Sequence, residues 1–141
     1  MEGIIKEKIS ADHLLYVSLK YTKTCDVIIN LLSRWKNMID RGIDRLVAKA
    51  KKDRKWKPVP EAPRAKLVQL KKIYANVPDV LEALELYELF RDIDKLEKVR
   101  ENEFRKGVNL KVTHKGKIIN INLNQLKEYA AALERFISYI K

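Results

Sequence analysis

Glu85, Glu88 and Asp92 stand three and four residues apart, the spacing that puts side chains on one face of a helix. Glu82 and Asp94 lie close by. A stripe of carboxylates offers the oxygen ligands that a hard cation such as Mg²⁺ takes. Together with His114 it would suit a nucleic-acid-processing enzyme. The stripe nevertheless lies opposite most apolar residues of its segment. It reads better as a solvated acidic face pairing with basic side chains of a neighbouring helix or subunit, at under about 1 kcal/mol per exposed pair. No catalytic residue, metal site, cofactor or small-molecule substrate is assigned from it.

The remaining chemistry is sparse. The 141 residues hold two histidines, one cysteine and four glycines, with no P-loop, GxGxxG, GxSxG or HExxH. His13, at an expected helix start, and His114, beside an expected hairpin turn, both read as surface residues. Cys25 lies within an apolar helical pattern and reads as a small buried hydrophobe, which leaves no internal disulfide.

The densest charge is in KAKKDRKWKPVP, residues 49–60. In one reading Lys49, Lys51 and Lys52 complement the dipole at a helix C-terminus. Arg54, Lys55 and Lys57 then keep a proline-rich connector hydrated while Trp56 folds back on the core. In a second, Lys49, Lys51, Lys52, Arg54, Lys55 and Lys57 neutralise phosphates of RNA or DNA and Trp56 stacks on an unpaired base. Lys111, Lys115 and Lys117 at the hairpin tip would extend that surface. In a third, Pro58 to Pro63 is a docking peptide or a contact with an acidic membrane surface.

Composition sets the frame for these readings. Apolar residues make up 46% of the chain, enough for one domain with a real core. The formal charge is +11, and residues 1–61 carry 14 basic against 8 acidic groups. Abundant Lys and Glu with little Gly, Cys or Met resemble thermophile proteins, and archaeal ones in particular. There is no signal-peptide pattern and no membrane-length apolar run, so a reducing cytoplasm is expected.

Hydrophobic periodicity then supplies the elements. Leu14, Val17, Tyr21, Cys25, Ile28, Leu32, Trp35, Ile39, Ile43, Leu46 and Ala50 recur at threes and fours, predicting a helix over about 10–52 capped by Ser10 or Asp12. Straight, residues 11–52 would span about 63 Å, so the helix bends or continues past Gly42 in an elongated molecule. A proline-rich linker follows over 53–62, then helices over 63–75 and 78–106, each opened by a proline. Val108, Leu110 and Val112 alternate with polar residues, as do Ile119, Ile121 and Leu123. This predicts a hairpin over 108–121 around a Lys115-Gly116 loop, pairing Val112 with Ile119, Leu110 with Ile121 and Val108 with Leu123. Asn122 with Gln125, or Asn124, caps a last helix over 123–140. The expectation is a mainly α, four-helix bundle-like domain with long first and third helices and a β-hairpin before the C-terminal helix.

The helical pattern over residues 10–106 resembles the HEPN-type superfamily, found in nucleotidyltransferase partners and toxin ribonucleases. Active members carry Arg followed after four to six residues by His on one helix. The nearest pair in this chain, Arg105 and His114, has eight residues between, so no functional residue carries over. The sequence therefore points to a non-enzymatic binding or assembly module with a basic surface, self-associating because its long helices and hairpin need cover. Nucleic-acid binding through 49–57 is the alternative, followed by an HEPN-like processing enzyme.

Overall fold

The first helix begins earlier than the apolar periodicity suggests. In the computed structural model, which describes residues 1–141, α1 starts as Glu2–His13 and continues through a π-helical segment, Leu14–Ser18. It closes with an α-helical turn, Leu19–Tyr21. A π turn holds extra backbone and rotates the face that follows it. The buried positions are accordingly Ile4, Ala11, Leu15 and Leu19, while Val17 and Tyr21, expected in the stripe, are exposed. Ser10 lies inside the helix, and Asp12 pairs with Lys8 at 2.7 Å, so neither caps a start.

The single helix over 10–52 is therefore corrected to two. Thr22 is extended, and Thr24 accepts a hydrogen bond from the Val27 N–H at 3.4 Å, starting α2 (Cys25–Lys52) afresh. A threonine cap with Asp26 in the first turn satisfies free amides that an uninterrupted helix would not leave open. Gly42 sits within unbroken helix. A Cβ there would come within 2.6 Å of Phe136 Cε2, so the glycine admits a ring from the last helix.

α3 (Pro63–Ile73) and α4 (Pro78–Asp92) each begin on proline, where the missing N–H costs nothing. The expected helix over 78–106 is corrected: α4 stops at Asp92, a 3₁₀ turn follows at Ile93–Lys95, and β1 takes Glu97–Glu101. The ammonium of Lys98 decides that ending. It donates to the carbonyls of Ile93 at 2.8 Å, Leu96 at 3.0 Å and Asp94 at 3.3 Å. Acceptors that a longer helix would have satisfied internally are met by a cation, which the helix dipole also favours.

β2 (Asn109–His114) and β3 (Lys117–Asn122) form the expected hairpin, with Val112 opposite Ile119 and Leu110 opposite Ile121. The expected Val108–Leu123 pair is corrected: the ladder ends at Asn109–Asn122 because Leu123 opens the last helix. Lys115 and Gly116 both have positive φ, 52° and 76°, which is the backbone of a type I′ turn. β1 adds antiparallel on the far side of β2, giving the order β1-β2-β3. Arg105 lies in the intervening turn and His114 ends β2, so this pair shares no helix.

Asn122 then caps α5 (Leu123–Ile140), accepting from the Gln125 N–H at 2.9 Å. The Gln125 side chain turns toward Glu128 instead of completing the capping box. The architecture is five helices and a three-stranded sheet rather than four helices and a hairpin. Helix α2 is central, contacting α1, α3, α4, α5 and β2. Trp35 of α2, Phe90 of α4 and Tyr129 of α5 meet at ring separations of 5.5–6.4 Å. Val108, Leu110, Val112 and Ile121 are fully buried, so the apolar face of the hairpin is covered within the chain. No helix is long and apolar enough to cross a membrane.

Candidate nucleic-acid interface

The basic segment hangs from the C-terminus of α2, and its backbone is well defined. The Lys55 N–H returns to the Ala50 carbonyl at 2.8 Å and the Arg54 N–H to Lys51 at 3.1 Å. Those two bonds make a Schellman ending, with Arg54 in the left-handed position at φ 59°. That position suits glycine, since a Cβ is strained there. Arg54→Gly is expected to stabilise the fold by about 0.5–1 kcal/mol, visible as a higher melting temperature.

Lys49, Lys51, Lys52, Arg54, Lys55 and Lys57 are all exposed. None forms an ion pair in the structure. Trp56 is half-buried and packs against the core, so its ring is partly committed to the fold. The cluster is larger than its sequence run. Arg45, Lys49 and Lys52 follow one face of α2 and join Lys141 around a groove of about 450 Å³ that also holds Asp53 and Tyr139. Arg45 is fixed there by its Nε–H, which donates to the Ile140 carbonyl at 2.6 Å. The spacing of three and four from Arg45 to Lys52 was the sequence signal for this extension.

The acidic stripe is engaged only in part: Glu85 is exposed and forms no ion pair, as a solvated face would have it, whereas Glu88 and Asp92 are held by other elements. Glu88 has a side chain only 15% exposed and bridges Lys71 of α3 at 2.5 Å and Lys115 of the hairpin turn at 2.6 Å. Asp92 faces His114 Nε2 at 3.3 Å and Arg91 Nε at 3.5 Å. The expectation of an exposed His114 is thus corrected: its side chain is 10% exposed because the turn folds down on α4. Lys115 is likewise engaged with Glu88 rather than free for phosphate. No three His, Cys, Asp or Glu side chains come together as a metal-binding group. Cys25 is fully buried with its thiol toward the Asn109 carbonyl, and burial pushes its pKa up. His13 is exposed but lies at the end of the Glu2–His13 segment rather than at a helix start.

Burial alone would raise the Glu88 pKa, but hydrogen bonds from Lys115 and Lys71 outweigh it and hold the carboxyl below its usual 4.5. A depressed carboxyl contributes stability that is complete above that usual value and is lost as pH falls through the lower folded one. Glu88→Gln is expected to cost about 1–2 kcal/mol at neutral pH. It should also flatten the acid limb of the stability curve, as read by urea unfolding at a series of pH values.

No family model, curated protein or solved structure matches the chain. The site must be read from its own geometry.

Proposed function

We propose that this chain is a non-enzymatic binding module whose basic surface engages nucleic acid. One observation carries the reading: six cations crowd nine residues, all exposed and none neutralised by a carboxylate, in a chain of net charge +11. Elsewhere Lys8, Lys36, Lys66, Lys71 and Lys115 find acidic partners while others such as Lys20, Lys23, Lys106 and Lys127 do not, so what sets 49–57 apart is the density of its unpaired cations. Leaving so much like charge together destabilises a fold through self-repulsion, and a polyanion relieves it by releasing its own counterions. Arg45 and Lys141 widen the patch to a grooved surface that a phosphate backbone can follow.

The test is salt dependence. About five phosphate contacts to a single strand contribute a log–log slope near −3.5, so affinity for a labelled RNA should drop at least about 100-fold from 50 to 200 mM salt. Binding indifferent to salt over that range, or absent at 50 mM, would sink the reading.

A further inference from the structure

We propose a second, base-reading site at the opposite end of α2: the groove between the α1–α2 junction, the 101–107 turn and the start of α5 binds unpaired nucleotides of a single-stranded nucleic acid. It deepens the reading above by naming the form of the ligand, and it stands on different residues.

The groove has about 520 Å³ and is lined largely by asparagine amides, with Lys106 and Lys127 at its sides. It shares Leu123 and Lys127 with an adjoining hollow of about 220 Å³, lined by Leu15, Tyr16, Leu19, Lys20 and Lys23. Two depressions sharing a wall make one continuous surface, amide-rich at one side and apolar at the other.

Three features there each call for a ligand. The first is aromatic exposure. Tyr16, which lines the hollow, is 57% exposed, and Tyr21 and Phe104, which stand in the chain between lining residues, are 78% and 75% exposed; Tyr139, at 42%, is the one other exposed aromatic side chain. Trp35, Phe90, Tyr129 and Phe136 are buried, as expected of rings with no partner outside. Exposed rings beside cations are the platform on which unpaired bases stack.

The second is backbone strain. Phe104 holds φ 66° and Asn102 φ 52°. Positive φ is tolerable for asparagine but an outlier for a bulky aromatic. The conformation is enforced by the Phe104 N–H, which donates to the Lys23 carbonyl at 2.6 Å, and by Asn102 Nδ2, which donates to Gly107 at 3.2 Å. The fold thus maintains an unfavourable backbone to project an apolar ring into solvent, an arrangement that clusters at ligand sites. The π-helical segment that carries Tyr16 belongs to the same pattern.

The third is unused hydrogen-bonding and charge. Asn109 Nδ2 donates to Glu101 and Asn120, but the buried Asn109 Oδ1 has no partner, and neither have Asn120 Nδ2, Asn122 Nδ2 and the Asn124 amide. Side-chain amides match the donor and acceptor edges that bases expose when unpaired. Lys20, Lys23, Lys106 and Lys127 make no ion pair; Lys23 donates to the Lys20 carbonyl, and Lys20 lies 5.9 Å from the Tyr21 ring centre. Rings for bases, amides for their edges and lysines for phosphates fit a single strand. A duplex hides its base faces, and an acidic peptide leaves the rings unused.

Helix α2 is 28 residues, about 42 Å, so the groove and the basic cluster lie at opposite ends of one rod. At 3.4 Å per stacked nucleotide, a strand reaching both needs about 12 nucleotides.

The experiment is fluorescence anisotropy on the full chain with labelled 20-nucleotide oligo-U RNA, oligo-dU DNA and an RNA duplex. Tyr16→Ser/Tyr21→Ser/Phe104→Gly should weaken single-strand binding about 100-fold or more, with the salt slope unchanged. Glycine at 104 relieves the positive φ, and circular dichroism checks that the variant folds. A second variant, Lys20→Gln/Lys23→Gln/Lys106→Gln/Lys127→Gln, should flatten the salt slope by about 2.8. The RNA and DNA arms show whether the 2′-hydroxyl is read, and preference for either over duplex supports the site. An aromatic variant within threefold of the native chain overturns it. So does a duplex bound as tightly as a single strand, or equal competition by poly-glutamate. In those cases the basic-cluster reading still stands if neutralising residues 49–57 weakens binding. Absence of all nucleic-acid binding removes both.

Discussion

With Lys49, Lys51, Lys52, Arg54, Lys55 and Lys57 all replaced by glutamine, affinity for single-stranded RNA at 0.1 M salt is expected to fall about 10³-fold. The size follows from counterion release. Five lost phosphate contacts remove a slope of about 3.5, which extrapolates to three to four decades between 1 M and 0.1 M salt. The fold should survive, because all six side chains are exposed and none is in an ion pair. The replacement gives up only the favourable interaction of Lys49, Lys51 and Lys52 with the end of the α2 dipole. Glutamine keeps much of the length and hydrogen-bonding capacity, so a loss would trace to charge. Anisotropy titrations at four salt concentrations measure it, and an unchanged slope would show that the segment is only solvated.

The second large effect is on stability. Phe136 is fully buried and its ring fills the space that Gly42 leaves open, with a virtual Cβ only 2.6 Å from Cε2. Phe136→Ala removes the ring and opens a cavity where two helices cross, a change that costs about 3–5 kcal/mol. Unfolding entropy for 141 residues is about 0.3 kcal/mol/K, so the melting temperature should drop by about 10–17 °C. The pair is coupled. Gly42→Ala alone forces Cβ into the ring and should destabilise by about 1–3 kcal/mol. In the Phe136→Ala background the clash is gone and alanine regains its helix advantage over glycine, about 1 kcal/mol. Thermal melts of the two single variants and the double variant close this cycle. Additive effects would mean that Gly42 is tolerated for a reason other than the ring.

How legible the molecule was depended on how local each determinant is. The β2–β3 hairpin could be read down to its register because alternation and a Lys-Gly turn are contained within sixteen residues. The final helix followed for the same reason, with Asn122 adjoining its first turn. β1 escaped because its one apolar side chain, Val99, faces solvent at 50% exposure, while the positions opposite Val112 and Leu110 are Lys98 and Arg100. Val99 instead extended a helix-like period from Val80. The break before Cys25 had a signal, Thr24 with Asp26 two residues on, but an unbroken count of threes and fours across Tyr21 and Cys25 outweighed it. That count failed because the π-helical segment turns the face of α1, and only packing against α2 reveals this.

The same distinction governs the sites. The basic run at 49–57 is contiguous and was visible at once. Arg45 and Lys141 joined it only when α5 brought its end alongside α2. The asparagine groove draws on residues near 16–23, 102–109 and 120–127, three segments with no reason to be compared in one dimension. The carboxylate stripe was recognised as helical, but its partners Lys71, Lys115 and His114 come from other elements.

Neighbour-to-neighbour pairing along the chain has a kinetic consequence. α1 docks on α2, β1 on β2 and β2 on β3 through short loops, while α4, β2 and α5 must each return across a long separation to reach α2, the return of α5 being the longest. A mixture of local and long-range pairings gives an intermediate folding rate, so stopped-flow refolding should be complete within about milliseconds to a second. A core side chain such as Phe136, whose contacts belong to that late return, should alter the escape rate from the native state more than the rate of reaching it.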